Sequence, residues 1–403
     1  MLFVYFYKNV KCLRMQIVLF DTSVRTQLYP FSLIRPLATL RSGIFTMQER
    51  WSAVLGKDVS LLTEAYLQQH LPAQEINNDD FLYINASIVF STELFNEVIK
   101  LAKETALYKG DVLVAVCCSN ALSFPIEEEQ LASFKKQTTE SAVNLLAYPF
   151  DLVRMNDALL RMDFDFIKRT GKSATLSSTN TVINPEQIFI EEGAEVEYCH
   201  LNASSGPIYI GKHALLMEGT MIRGPFAALD EAVVKMGSKI YGATSVGRKC
   251  TVGGEIKNAV FFDYSNKAHD GYLGDAVIGS WCNIGAGASC SNVKNTAGTV
   301  KIWNQPLRKW IAAGNKCGVM LGDYSKVSIN ASLTTGMVAG ICSHILNDGL
   351  SPKFVKDFTW DIRTGEKYIF EKALSDIENW MQMKNKTLTN ADKSVVEYLY
   401  GQL

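Results

Sequence analysis

KAHDGYLGDAVIGSWCNIGAG, residues 267–287, interrupts and then restores a six-residue aliphatic register. Ahead of it Ile210, Leu216, Ile222, Val234, Ile240, Val246 and Val252 keep that register, with Ala228 at the remaining step and Ile190 and Val196 as early positions. The register breaks across 258–277, resumes at Ile278 and Ile284, and returns at Leu321, Val327 and Leu333. Glycine often follows the aliphatic residue, as at Gly211, Gly247, Gly253, Gly279, Gly285 and Gly322. A helix repeats every 3.6 residues and a strand every two, so neither sustains a period of six. A triangular coil with six residues per side does. Each coil is then three short parallel strands, with aliphatic residues stacked inward and small residues at the corners. The irregular segment in the middle of this stack carries His269 among polar neighbours, which makes it the place to look for chemistry.

The chain has 403 residues, 47% hydrophobic and 20% charged, with a formal net charge of -1, so it reads as a soluble protein of two or three domains. No Lys/Arg run offers a surface to a polyanion. The nine cysteines are scattered without C-x-x-C spacing and the five histidines without ligand spacing, which reads as reduced cytosolic thiols and not as a zinc site. The apolar run in residues 1–14 is too short to span a bilayer, and its positive charges follow it. Met15 reads as the start of the folded part, with residues 1–14 as an upstream extension.

From Met15 short apolar runs alternate with helical patterns. Residues 16–20, 81–90 and 111–118 read as strands; 42–55 reads as a helix with Ser42 as its N-cap, and 91–104 as another with Ser91 as N-cap and Glu93 in the first turn. Alternation of this kind predicts an α/β domain with a mostly parallel sheet, ending near residue 170, with 169–179 as linker. Ligands of such sheets sit beyond the strand C-terminal ends, which points to the loop 21–43 after the first strand. Its three arginines, Arg25, Arg35 and Arg41, with Pro30 and Pro36, make a stiff cationic loop. Bidentate phosphate contacts and a rim of solvated arginines are both open readings of it. Residues 148–167 read as a helix whose carboxylates Asp151, Asp157, Asp163 and Asp165 form a solvated face, unless one of them holds a metal. Beyond Gly340, aromatics alternate with polar residues over 351–370. Helical spacing follows over 371–386 and 389–400, the latter opening on a capping-box pattern at Thr389 and Asp392. This tail is expected to pack back on the coil or on a neighbouring subunit.

The loop 21–43 resembles a degraded sugar-nucleotidyltransferase motif. Arg25 stands where the motif has its arginine, Arg35-Pro36-Leu37 resembles its Lys-Pro-Leu element, and Gly43 falls near its later glycine. The glycines that wrap a triphosphate are replaced by Asp21-Thr22-Ser23, and YINASI (83–88) offers Asn85 where the family has a metal-binding Asp. GPFAAL (224–229), GGEIKNAVF (253–261), KAHDGYLGDAVIG (267–279) and CNIGAGASCSN (282–292) are similar, in order and spacing, to the acetyltransferase half of the GlmU family.

The resemblance implies a Rossmann-like nucleotidyltransferase domain over 15–170, a left-handed parallel β-helix of hexapeptide repeats over 180–345, and a partly helical tail over 346–403. It implies a cytoplasmic homotrimer that takes a sugar phosphate, a nucleoside triphosphate and acetyl-CoA, with Mg²⁺ for nucleotidyl transfer, and makes UDP-N-acetylglucosamine or a related nucleotide sugar. His269 matches the general base, with Tyr272 beside it. Lys257 matches the lysine at the sugar phosphate, and Asn283 and Asn292 match asparagines of the sugar site. Arg25, Arg35 and Asn85 would meet nucleotide in the first domain. Ala228 and Asp230 stand where the family carries arginine and Val293 where it has an aromatic residue, leaving Arg223 or Arg248 as the replacement charge. Two other readings remain: a sugar-1-phosphate nucleotidyltransferase whose β-helix only assembles the oligomer, and a non-catalytic nucleotide-sugar-binding regulator.

Overall fold

The computed structural model describes residues 15–72, 80–347 and 349–403, so the reading of residues 1–14 lies outside the described residues. The chain divides into two compact units. Among the described residues, one holds 15–28 together with 34–40 and those of 45–147; the other holds 29–33, 41–44 and those of 148–403.

The first unit is built on a six-stranded sheet in the order β2-β1-β3-β5-β4-β6. These strands are β1 Gln16–Phe20, β2 Ser60–Leu62, β3 Phe81–Asn85, β4 Thr105–Lys109, β5 Val112–Cys118 and β6 Lys135–Thr138. β1 runs parallel to β2 and β3, and β4 to β6, while β5 alone runs antiparallel, to both β3 and β4, so the sheet is mostly parallel, as expected, with one reversed strand. The cause is a hairpin: β4 turns back through Gly110, whose φ of 57° suits glycine, into β5. Val18, Phe20, Phe81, Tyr83, Val116 and Cys118 bury one face of this sheet.

Helix α1, Met47–Leu55, starts four residues later than Ser42 suggested. Thr46 caps it: its hydroxyl accepts from Glu49 N–H, and the Glu49 carboxylate accepts from Thr46 N–H. The Ser42 hydroxyl instead donates to Leu152 O at 2.8 Å. Helix α2, Thr92–Val98, is capped by Ser91 as expected but ends well short of residue 104. Strand β3 stops at Asn85, short of residue 90, because the Asn85 side chain folds the chain into a turn.

In the second unit a helical turn, Asp151–Arg154, leads into helix α3, Asn156–Thr170, and the chain continues as a left-handed parallel β-helix of about ten turns. Every aliphatic residue of the six-residue register is buried in one continuous column of side chains. Three faces repeat. The first runs from Thr181–Ile183 through Met221–Arg223 and Lys239–Tyr241 to Ser289–Cys290 and Ser332–Leu333. The second runs from Ile188–Ile190 through Phe226–Ala228 and Thr244–Val246 to Met320–Leu321. The third is an eight-stranded sheet from Glu195–Val196 through Asn266–Lys267 and Asn283–Ile284 to His344–Ile345. Strands Glu255–Phe261 and Tyr272–Ile278 each span the first and second faces.

Across 258–277 the coil is continuous although the six-residue spacing is lost. Ile256 pairs with Leu273, Phe261 with Ile278, and Val252 with Lys267, so the inward positions continue through shortened sides. A lysine occupies one of them. The later gap is an excursion over 291–319 that carries an antiparallel hairpin, Lys301–Asn304 with Lys309–Ala312. Small residues line the inside of one corner, at Cys250, Ser265, Cys282, Ser325 and Ser343. The outer corner positions are not all small: Lys249, Tyr264, Trp281 and Tyr324 take positive φ there, and the Tyr264 and Trp281 rings stack at 4.2 Å. The eight described cysteines are buried and form no disulfide among the described residues.

The tail forms helices α4, Phe370–Gln382, and α5, Asn390–Gly401, the second closed by the Thr389–Asp392 capping box. Lys384 donates from beyond α4 to Lys249 O at 2.8 Å, and the Lys326 ammonium lies 4.8 Å from the Trp380 ring, so the tail lies on the coil.

Candidate active site

Between the third face and the first, the chain turns a corner over residues 268–271, and His269 is exposed on it. Its backbone is held from two directions. Lys267 Nζ donates to His269 O at 2.7 Å, and Gly287 N–H donates to Asp270 O at 3.0 Å. The corner packs too closely for side chains around it: a Cβ at Gly254 would lie 2.9 Å from His269 O, and one at Gly271 would collide with Ala288 O. The glycines of GGEIKNAV and HDGY are therefore needed for the coils to stack at this edge.

On the first face beside this corner, Arg223, Tyr241, Lys257 and Gly274 occupy successive rungs of one outward column. The Lys257 ammonium lies 5.6 Å from the Tyr241 ring centroid. The Tyr241 hydroxyl donates to Glu255 at 2.6 Å, in the neighbouring column that continues to Tyr272. A Cβ at Gly274 would touch both the Tyr272 hydroxyl and Asn292 Nδ2, so the missing side chain lets those two groups approach. Asn292 is itself oriented: its amide donates to Asp275, and Asn258 donates to the other oxygen of the same carboxylate at 3.3 Å. Burial, followed by Tyr241, Asp275 and Glu255, pushes the Tyr272 phenol up to about 12, so it serves as a hydrogen-bond donor near neutral pH.

The first face thus brings Lys257, Tyr272 and Asn292 together at the His269 edge. Asn283 lies on the third face, in the outward column Asn266, Asn283, Lys326 and His344, on the other side of the same edge. The run Asn283–Gly287 is a poorer source of oxyanion donors than its glycines suggest. Asn283 N–H donates to Ser325 O, Gly285 N–H to Val327 O and Gly287 N–H to Asp270 O. Within the corner 285–287, Ala286 N–H alone has no backbone acceptor among the described residues. Of the two candidate replacement arginines, Arg223 shares the Lys257 column and is exposed. Arg248 instead makes ion pairs with Asp230 at 3.9 Å and Asp263 at 3.6 Å. The Asn258–Asp275–Asn292 network and Lys267 were missed by sequence reasoning; DAVIG showed the aspartate, but nothing in its spacing showed which amides face it.

In the first unit, Arg25 is buried. Its Nε donates to Asp21 at 3.2 Å, its second arm lies 3.7 Å from Glu64, and a third contact reaches Arg35 O at 3.5 Å. Asp21 also accepts from Leu37 N–H at 2.9 Å and from the Thr63 hydroxyl at 2.6 Å; burial nevertheless holds its carboxyl above the usual range. Arg35 is half-buried. Arg41 belongs to the second unit, where it pairs with Asp263 at 3.4 Å and donates to Ile44 O. A rim of solvated arginines describes neither Arg25 nor Arg41. The Asn85 amide donates to Leu113 O at 2.9 Å while its oxygen accepts from Ser87 N–H and Oγ. Asp151 and Asp163 are buried too, Asp163 accepting from Ile44 N–H at 2.9 Å, so the four carboxylates of 148–167 are not one solvated face.

No group of three or more metal-ligating side chains occurs among the described residues. At the ends of β1 and β3, Asp21 and Asn85 spend their oxygens on protein donors, a poor fit to Mg²⁺, which binds through carboxylates open to it. Among the described residues no helix is long and apolar enough to cross a membrane.

Residues 17–172 match the family described as Sugar nucleotidyl transferase. The chain is 28% identical over 166 residues to the Bifunctional protein GlmU of Nostoc sp., which covers 35% of this chain and 36% of that protein. It is 26% identical over 214 residues to the Bifunctional protein GlmU of Bartonella quintana, covering 50% of this chain and 43% of that protein. The chain therefore spans less than half the length of these relatives. Fold and match together define the class, a sugar nucleotidyl transferase domain joined in one chain to a left-handed β-helix. Within that class the chain is GlmU-like.

Proposed function

We propose that the β-helix transfers an acetyl group from acetyl-CoA to the amine of an amino-sugar phosphate resembling glucosamine-1-phosphate, a step in making UDP-N-acetylglucosamine or a related nucleotide sugar. One observation carries this reading. An exposed histidine with no hydrogen bond to its ring among the described residues stands on an edge flanked by a lysine, a tyrosine and two asparagines. In the proposed reaction the substrate amine attacks the thioester carbonyl, and the carbon–nitrogen bond forms as the amine proton passes to the His269 imidazole. The tetrahedral oxyanion takes a hydrogen bond from Ala286 N–H. Collapse expels CoA as thiolate, which recovers a proton. Lys257 and Arg223 hold the phosphate end of the acceptor, and Tyr272, Asn283 and Asn292 its hydroxyls.

A second reading concerns the first unit, and the engagement of Asp21, Arg25 and Asn85 favours it. Nucleotide or nucleotide-sugar binding, with Arg35 among the contacts, outlasts nucleotidyl transfer there. The ends of β1 and β3 do not fit Mg²⁺, since Asp21 and Asn85 are engaged by protein donors.

The test is acetyl-CoA turnover with glucosamine-1-phosphate, beside pyrophosphate release from UTP. Turnover in the wild type and a fall of roughly 10²- to 10⁴-fold in His269→Ala, the usual worth of a positioned general base, is expected. Near-normal turnover in the variant removes His269 from the mechanism. Pyrophosphate release without acetyl transfer would favour a nucleotidyltransferase whose β-helix only assembles it.

A further inference from the structure

We propose that Lys267 is a positioning residue that fixes the His269 corner, an inference resting on the acetyltransferase reading above. Lys267 stands in the inward column of the third face, registered with Val252 and directly ahead of Ile284, where the other coils place Val196, Leu216, Val234, Val327 and Ile345. It is 1% exposed. An aliphatic residue there would complete the column, whereas an ammonium in an apolar stack must be desolvated. No carboxylate lies within ion-pair distance of it among the described residues. Burial pushes the amine down to about 8, with Asp270 acting weakly in the opposite direction. The coil therefore carries a destabilising group at the side that leads into the candidate base.

The contacts of Nζ show what that group accomplishes. It donates to Gly253 O at 3.1 Å and to His269 O at 2.7 Å. Those carbonyls belong to the same corner in two successive coils. The corner at His269 is longer than the one at Gly253–Gly254, since the inward residues that bracket it are Lys267 and Leu273, against Val252 and Ile256. The corner at His269 keeps the ordinary six-residue spacing of the coil, and Lys267 ties its middle carbonyl to the shorter corner of the coil above. Among the described residues the imidazole has no side-chain hydrogen bond to orient it, so its placement follows that of its backbone. Displacement of a reacting group by about an ångström costs up to roughly a hundredfold in rate.

The experiment uses the full-length chain carrying Lys267→Met, which restores an apolar column at similar length, and Lys267→Gln, which keeps a donor for the same carbonyls. In Lys267→Met, kcat for acetyl transfer falls about tenfold to a hundredfold, while KM for acetyl-CoA and the thermal midpoint do not worsen. Lys267→Gln recovers most of the loss. Lys267→Met combined with His269→Ala is no slower than His269→Ala alone, because the lysine acts through the histidine. Amide hydrogen exchange at residues 268–271 speeds up in Lys267→Met, a readout independent of activity. Wild-type kcat in Lys267→Met, an undiminished effect of that change in the His269→Ala background, or unaltered exchange at the corner overturns the proposal. A Lys267→Met chain that does not fold also overturns it, since the lysine would then be serving the stack. If the wild type shows no acetyl transfer, the function reading fails, and the exchange measurement alone decides whether Lys267 anchors the corner.

Discussion

At the scale of single residues, charge was the part of the sequence hardest to place. Val252 and Ile284 announce themselves as inward because a sixfold aliphatic column has one physical explanation; Lys267 occupies the same column and cannot be read that way from its chemistry. Its titration gives a signed prediction. The folded chain holds Lys267 near 8 against an ordinary 10.5, so between those values the unfolded chain binds more protons and stability rises with pH. The cost of the buried charge is fully present below pH 8. Urea unfolding of wild type and Lys267→Met should show a gap that narrows from pH 8 to 10.5, by about 3 kcal/mol at most; a gap constant with pH would show that the lysine is not buried as a charge. Arg25 poses the converse problem. Its position suggested phosphate, but its guanidinium is closed on Asp21, a pair only four residues apart whose burial no spacing reveals. Arg25→Ala leaves the Asp21 carboxylate buried without its partner and should cost about 3–5 kcal/mol, the range for breaking such pairs. A stability change near zero, with lost nucleotide affinity, would return Arg25 to the phosphate role.

At the scale of elements, local signals were readable wherever they were complete. Ser91 with its helix, and Thr389 with Asp392 three residues later, stand in the sequence as they stand in the fold. Ser42 failed as a cap because a serine before an apolar run is only half of the pattern. Thr46 followed by Glu49 supplies both halves, while the Ser42 hydroxyl serves Leu152. Thr46→Ala should therefore cost about 1 kcal/mol in the first unit, and Ser42→Ala should leave α1 helical. Circular dichroism with urea titration reads both, and a frayed α1 in the serine variant would contradict the assignment. Strand β4 and the antiparallel placement of β5 were illegible for a different reason. Alternating helix and strand patterns are shared by parallel and mixed sheets, and only the turn at Gly110 distinguishes them. The return of the register at Leu321 was legible but the hairpin within 291–319 was not, since a coil can project a hairpin and resume without any change in its own inward residues.

At the scale of the whole molecule, the order of parts was legible because a period of six and an α/β alternation cannot be exchanged for one another. Assembly is the property that no single coil dictates. The corner that carries His269 is shared by Tyr198, Met236 and Ile329, each lying between a third-face strand and a first-face strand, and they are 63%, 66% and 67% exposed. Long apolar side chains standing in water along one edge favour covering that edge, at roughly 25 cal/mol per Å² of apolar area removed from water. A β-helix of three like faces can be covered by copies of itself related by a threefold axis. We therefore expect a homotrimer in solution, with the His269 edge at the contact and the acetyl-CoA site completed by a neighbouring copy. Light scattering at micromolar concentration should give three times the chain mass of 44.7 kDa. Met236→Lys with Ile329→Lys should shift that mass toward the monomer, leave the circular dichroism of the coil unchanged, and lower acetyl transfer with the loss of assembly. A wild-type monomer that turns over acetyl-CoA at full rate would place the whole site on one chain and leave the exposed edge without this role.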